Sequence, residues 1–137
     1  CELAQRGRDL PLSFNRKEAK AHGEGGQLIG ADMNGKRVLI VDDVITAGTA
    51  IREALGIIRD AGGIPAGIVV ALDRQEIASD TDHRSAAQAV AEEAGIPVIA
   101  VATLADLLDF ASGNPELVGY RQPLEAYRAQ YGVRSIR

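Results

Sequence analysis

Arg37-Val38-Leu39-Ile40-Val41-Asp42-Asp43-Val44-Ile45-Thr46-Ala47-Gly48-Thr49-Ala50 is the stretch on which the reading of the whole chain turns. Four branched aliphatic residues stand in a row at 38–41, with no alternation. Such a run suits a central parallel strand buried on both faces, because helices packed above and below leave no wet side for a polar residue. The run stops at two adjacent carboxylates, Asp42 and Asp43. After Val44 and Ile45 come Thr46-Ala47-Gly48-Thr49, and then Ile51, Leu55 and Ile58, spaced four and three apart on one helical face. The sequence therefore reads as a strand, a polar turn and the opening of a helix.

Each part of this unit has a chemical use. Free backbone N–H groups at a helix N-terminus attract anions, and the helix dipole adds to that attraction. Gly48 allows close backbone approach, and Thr46 and Thr49 supply hydroxyls. A phosphate suits this turn. Asp42 and Asp43 would repel a phosphate but accept hydrogen bonds from sugar hydroxyls, so the unit describes a receptor for a phosphorylated sugar. Spacing alone leaves plainer readings open. Acids at the carboxyl end of a strand also occur in receiver-type domains and in metal sites of doubly wound folds, and a glycine between strand and helix is often only a turn.

Composition sets the frame. The 137 residues, 46% hydrophobic and 25% charged, are enough for one domain with a core. With 15 basic and 19 acidic residues the net charge is −4, which gives no global attraction to nucleic acid or an anionic membrane. Neither partner is expected. No run approaches the roughly 20 apolar residues of a membrane helix, and the cytoplasm is the expected compartment. A single cysteine, Cys1, excludes an internal disulfide framework and a cysteine-rich metal site.

Working outward, residues 1–7 read as the last turns of a helix closed by Gly7, and residues 10–14 as a short strand. Residues 15–26, Asn15-Arg16-Lys17-Glu18-Ala19-Lys20-Ala21-His22-Gly23-Glu24-Gly25-Gly26, then change character. Arg16, Lys17, Lys20 and His22 stand within seven residues against one glutamate, the strongest positive cluster of an acidic chain. By itself this is a solvated hairpin loop. Beside a phosphate site, a glycine-hinged basic loop acts as a lid that excludes water and brings charge to a leaving group. His22 could donate a proton or only a hydrogen bond. Residues 27–31 return as a second strand, and Asn34-Gly35 marks a turn.

The helix from about residue 49 should end at Ala61-Gly62-Gly63. Residues 66–72 form the next buried strand, ending in Asp73-Arg74-Gln75-Glu76. Ligands of such sheets gather at the carboxyl ends of strands, so Asp73 and Arg74 should share a rim with Asp42 and Asp43. The Arg74 fork suits a carboxylate or an imide edge, or simply a surface ion pair with Asp73 or Glu76. A small-residue helix at 85–94, a buried strand at 98–101 and a helix capped by Thr103 follow. Pro115 and Pro123 break up the remainder, where Leu124, Tyr127 and Tyr131 mark a last short helix whose stripe reads as core. The alternation predicts an α/β fold, a doubly wound, mainly parallel sheet with a flexible hairpin lid.

The 38–50 stretch resembles the phosphoribosyl-pyrophosphate (PRPP) motif of the type I phosphoribosyltransferases: four hydrophobics, two acids and a threonine-glycine-threonine turn. Residues 13–23 are similar to the catalytic flexible loop of orotate phosphoribosyltransferases, and Ala71-Leu72-Asp73-Arg74-Gln75-Glu76 resembles the strand end that carries their orotate-binding arginine. The resemblance implies the type I phosphoribosyltransferase fold over a single domain, residues 1–137, with the loop at 15–26. It implies that Lys20, His22, Asp42 and Asp43 serve catalysis. Arg16, Lys17, Lys20 and His22 would contact PRPP from the loop, and Asp42 and Asp43 its ribose hydroxyls. Val44 and Ile45 would belong to the PRPP site, the turn Thr46, Ala47, Gly48, Thr49 and Ala50 would wrap the 5′-phosphate, and Thr46 and Arg74 would meet orotate.

The expected reaction is phosphoribosyl transfer from PRPP to orotate, giving orotidine 5′-phosphate and pyrophosphate in pyrimidine biosynthesis. Mg²⁺ would be held mainly by PRPP and water, with no direct protein ligand. A homodimer would share its loops between subunits. The family carries an N-terminal portion with further PRPP-binding lysines, so this chain is expected to be truncated there and, alone, weakly active or inactive. A purine or uracil phosphoribosyltransferase would share residues 42–50 but not the loop and Arg74 signature. A PRPP-responsive regulator would keep the receptor and bring a nucleic-acid-binding face, for which this sequence has no basic helix.

Overall fold

The aliphatic run at 38–41 lies in the first half of a nine-residue strand, and the sheet around that strand places everything else. The computed structural model describes residues 2–15, 28–79 and 82–133. In chain order these form α1 (Glu2–Gln5), β1 (Ser13–Asn15), β2 (Leu28–Gly30), β3 (Arg37–Ile45), α2 (Thr49–Asp60) and β4 (Ile64–Asp73). There follow β5 (Ile77–Ser79), β6 (Asp82–Ser85), α3 (Ala86–Ala94), β7 (Val98–Thr103), α4 (Leu104–Gly113) and α5 (Val118–Tyr131). The expected α/β architecture with a parallel sheet is present. Strands β3, β4 and β7 pair in parallel in the order β3-β4-β7, while β1-β2 and β5-β6 are separate antiparallel hairpins.

Helices α2 and α3 supply the cover that joins these strands into a core. Ile51, Leu55 and Ile58 of α2 and Ala86, Ala87 and Val90 of α3 are buried with Ile40, Ile45, Ile68 and Val70 of the sheet. Each fully buried isoleucine or leucine contributes about 1.5–3 kcal/mol by leaving water. Helix α3 starts in a capping box, Ser85 accepting from the Gln88 amide while the Gln88 side chain accepts from the Ser85 amide. The expected Thr103 cap of α4 is likewise a box with Asp106. The Thr103 hydroxyl and amide hold the Asp106 carboxyl below its usual pKa.

Several expectations need correction. Among the described residues, strand β3 is an edge of the three-stranded sheet, not its centre, and is covered on one face only. Its pattern alternates because both covering helices pack on the Ile40 side, leaving Leu39 and Val41 exposed. The strand also does not stop at the acids: it runs through Asp42 and Asp43 to Ile45. The first hairpin strand lies at Ser13–Asn15 rather than 10–14, since Pro11 has no N–H for a ladder. The β5–β6 hairpin was not anticipated.

Pro123 does not end a helix but sits inside α5. An internal proline removes one helical N–H and crowds the carbonyl four residues earlier, here that of Gly119, so the helix continues past a residue that disfavours it. Nor is the α5 stripe core. No residue of this helix is buried; Leu124 and Tyr127 are half-buried and Tyr131 exposed.

Candidate active site

The acids, the turn and the arginine converge because β3 and β4 are parallel and in register. Asp42 pairs with Val70, Val44 with Leu72 and Ile45 with Asp73. Ile45 is thus level with the last residue of β4, and the turn at 46–48 emerges beside Asp73 and Arg74. Asp42 lies three positions lower, about 10 Å down the strand. Consecutive residues of an extended strand point to opposite faces, so Asp42 and Asp43 flank β3 rather than standing side by side. Asp42 is partly buried and Asp43 exposed. Each carboxylate accepts the next main-chain amide, Asp43 N–H to Asp42 Oδ1 at 2.9 Å and Val44 N–H to Asp43 Oδ1 at 2.7 Å. Among the described residues, the second oxygen of each carboxylate has no protein donor.

The turn is built for an anion. Gly48 is the N-cap of α2 in left-handed backbone, φ 76°, and no side chain caps the helix. The first-turn amides are therefore left for water or a ligand, and the first turn carries no acidic residue to compete. Gly48 is required twice over: a Cβ there would lie 2.5 Å from Val90 Cγ2, in addition to the backbone strain. Thr46, Ala47, Thr49 and Ala50 are exposed around it.

Arg52, one turn into α2, braces this loop, a role that no local pattern announces. Its Nη1 donates to the Ala47 carbonyl at 2.6 Å, while Nε and Nη2 fork onto Glu93 of α3 at 2.8 and 3.0 Å. The Glu93 hydrogen bond raises the Arg52 pKa against some desolvation, and the same bond lowers that of Glu93. Glu93 is 41 residues away, so no local pattern announced the pair.

At the β4 end, Arg74 Nε lies 3.0 Å from Glu76 Oε1. This is ion-pair distance, yet the Nε–H is not aimed at the oxygen: the atom is buried without an aligned hydrogen-bond acceptor. The same Glu76 oxygen accepts the Tyr127 hydroxyl from α5. The ion pair anticipated as an alternative for Arg74 is therefore present, with a tyrosine added that had been read as core. A cavity of about 370 Å³ touches this end of the rim through Asp73 and Gln75, with Ser85, Gln88 and Arg128 further back, and its lining does not include Asp42, Asp43 or Thr46. Arg16, Lys17, Lys20 and His22 lie outside the described residues.

Residues 2–96 match the family model described as phosphoribosyl transferase domain. The chain belongs to that family. It is 99% identical over all of its 137 residues to an orotate phosphoribosyltransferase of Stenotrophomonas maltophilia (strain R551-3). It is 79% identical over 133 residues, 97% of the chain and 61% of the relative, to that of Xanthomonas campestris pv. campestris (strain B100). The chain spans about 63% of the length of the Stenotrophomonas relative. Among solved structures, the orotate phosphoribosyltransferase of Francisella tularensis superimposes with a TM-score of 0.74 at 33% identity, over 95% of this chain and 60% of that one. The Mycobacterium tuberculosis H37Rv enzyme in complex with PRPP gives 0.57 at 32% identity, over 74% and 52%. In this phosphoribosyl transferase domain the uncapped helix and Arg74 share one strand end, with Asp43 and Asp42 two and three residues below it on β3.

Proposed function

We propose that the intact protein containing this chain is an orotate phosphoribosyltransferase, transferring 5-phosphoribosyl from PRPP to a ring nitrogen of orotate. The bond from ribose C1 to the diphosphate breaks and pyrophosphate leaves with its electron pair, while a bond from C1 to the nitrogen forms and the proton of that ring N–H passes to water or the departing diphosphate. The observation that carries this reading is the uncapped N-terminus of α2, directly after the acid-bearing strand and level with Arg74. The names of the relatives support it. In this reading the α2 amides with Thr46 and Thr49 bind the 5′-phosphate. Asp42 and Asp43 hold the ribose hydroxyls and offset the positive charge that grows on the sugar as the diphosphate departs. Arg74 forks onto the orotate carboxylate. Arg16, Lys17, Lys20 and His22 close over the diphosphate from a neighbouring subunit in a homodimer, and the cytoplasm is the compartment.

Mg²⁺ fits the residues present. No cluster of three or more His, Cys, Asp or Glu side chains suited to a metal occurs among the described residues. Among the described residues Asp42 and Asp43 keep an oxygen each free of protein donors, and Mg²⁺ commonly takes one or two carboxylates, directly or through water, with substrate phosphates and retained waters completing its shell. Bound there, it would neutralise charge on the departing diphosphate.

The test is an assay of the intact protein with PRPP, orotate and Mg²⁺, following orotate loss and pyrophosphate release. One-for-one conversion, with uracil and purines left unchanged, is expected. Turnover of a purine or uracil instead of orotate would overturn the substrate assignment. Lys20→Ala should abolish most turnover; undiminished turnover would remove the loop from the mechanism.

A further inference from the structure

The turn that carries Arg74 is tied to the segment that follows α5 as well as to its own neighbours. Val133 N–H donates to the Gln75 carbonyl at 2.9 Å, and Glu76 bridges to Gly132 across an isolated antiparallel contact. Gln75 itself is held in left-handed backbone, φ 54°, unusual for a residue with a side chain. Its side-chain oxygen accepts the Ala105 amide at 3.1 Å, and its own amide donates to Asp73 Oδ1 at 2.8 Å. A non-glycine residue kept in that region is one the surroundings over-determine. Within this fixed turn, Glu76 Oε1 receives the Tyr127 hydroxyl and stands 3.0 Å from Arg74 Nε. Glu76 is the more buried partner, its side chain 18% exposed against 35% for Arg74. The terminal nitrogens of Arg74 have no protein partner among the described residues.

We propose that Tyr127 and Glu76 are positioning residues for the base-recognition arginine. Tyr127, carried in from α5, fixes the Glu76 carboxylate; the carboxylate holds the inner nitrogen of Arg74 by charge and leaves its outer fork to a planar carboxylate on the acceptor base. This rests on the orotate reading above and deepens it, since it names what sets specificity for a carboxylated ring over an uncharged one. Arg74 Nε is the observation that points outward: a buried guanidinium nitrogen near a carboxylate it is not aimed at is a group steered rather than satisfied. Tyr127 and Tyr131 pack at 5.0 Å between centroids, so removing the Tyr127 hydroxyl leaves the ring seated.

The experiment compares the intact protein with Tyr127→Phe, Glu76→Gln and Arg74→Ala in steady-state assays against orotate and against PRPP. Tyr127→Phe should raise KM for orotate by about tenfold, the size of a hydrogen bond to a charged group, with KM for PRPP unchanged. Glu76→Gln should do the same or more and should narrow the preference for orotate over uracil. An equal rise for both substrates, or none for orotate, overturns the proposal, because a merely structural role would disturb the shared rim without regard to the carboxylate. Failure of the parent reading looks different: wild type itself then consumes no orotate, or Arg74→Ala leaves orotate KM unchanged. In that event the clamp is judged by tyrosine absorbance titration. The Glu76 hydrogen bond raises the Tyr127 pKa, so Glu76→Gln should lower the pKa of the one tyrosine that Tyr127→Phe removes from the titration, and an unchanged titration overturns the clamp.

Discussion

The two faces of the sheet are made of the same kinds of residue and live in opposite environments. On the covered face, Ile68 and Val70 are 0% exposed and Ile40 is 9%. One residue along each strand, Leu39, Val41, Ile99 and Val101 are between 56% and 77% exposed. Side chains alternate along a strand, so only the parity of a residue decides which environment it meets. Where α2 and α3 pack, an apolar face becomes core; where no described element packs, an equally apolar face meets water. The comparison teaches that an unbroken aliphatic run reports a strand suited to cover on both sides, and is silent on whether both covers are in place.

The largest effect should come from breaking the covered face. Ile68→Ala, at the centre of β4, should destabilise the chain by about 3 kcal/mol through lost burial and a cavity, read as a lowered denaturant midpoint. A loss below about 1 kcal/mol would show that α2 and α3 do not clamp the sheet as described. Next comes Gly48→Ala, which strains the left-handed N-cap and drives a methyl into Val90 of the covering helix. About 2 kcal/mol of stability should be lost, together with phosphate affinity at the α2 N-terminus measured by titration calorimetry. Retained affinity with lost stability would separate the turn's structural part from its binding part.

A smaller effect is expected at the edge of the covered face, where Arg84 of β6 spans from Asp82 to Glu92 of α3. Hydrogen bonds from Arg84 lower the Asp82 pKa to about 2. A depressed carboxylate contributes stability that is present above its unfolded pKa of about 3.9 and is lost as pH falls through the folded value. Wild type should therefore melt slightly above Asp82→Asn at pH 6, with the two curves meeting near pH 2. Because the pair reaches solvent, the difference should shrink in high salt; a gap that persists at pH 2 would mean Asp82 acts through something other than its charge.

What was legible in the sequence divides along the same line. The unit from β3 to α2 could be read because its signals are local: an aliphatic run, a glycine at the N-cap and apolar residues at helical spacing. Thr103 marked a helix start for the same reason. The face assignment could not be read, since Val38 to Val41 are apolar at both parities and the period of two is hidden. Pro123 lies inside α5 against the rule that proline breaks helices, and no local signal in the sequence marks the exception. Within the site, Asp42, Asp43, the 46–50 turn and Arg74 were named from their motifs. Arg52–Glu93 and Glu76–Tyr127 join residues 41 and 51 positions apart, and such pairs exist only once α2 meets α3 and α5 returns to the rim.

The smallest expected effect is the one that tests the comparison hardest. Val41→Thr keeps the β-branched shape and exchanges one methyl for a hydroxyl, so it probes the wetness of a site with little change of volume. At a buried position an unpartnered hydroxyl costs about 1–3 kcal/mol; at Val41, 74% exposed, the change should stay within about 0.5 kcal/mol. A loss near 2 kcal/mol in this 137-residue chain would mean the face is covered in solution, and a melting temperature that rises with protein concentration would assign the cover to a second copy. The same substitution in a form extended to the relatives' full length separates two arrangements. A penalty that appears only there places added chain over Leu39, Val41, Ile99 and Val101, whereas an unchanged null result leaves this face wet and puts the additional length elsewhere.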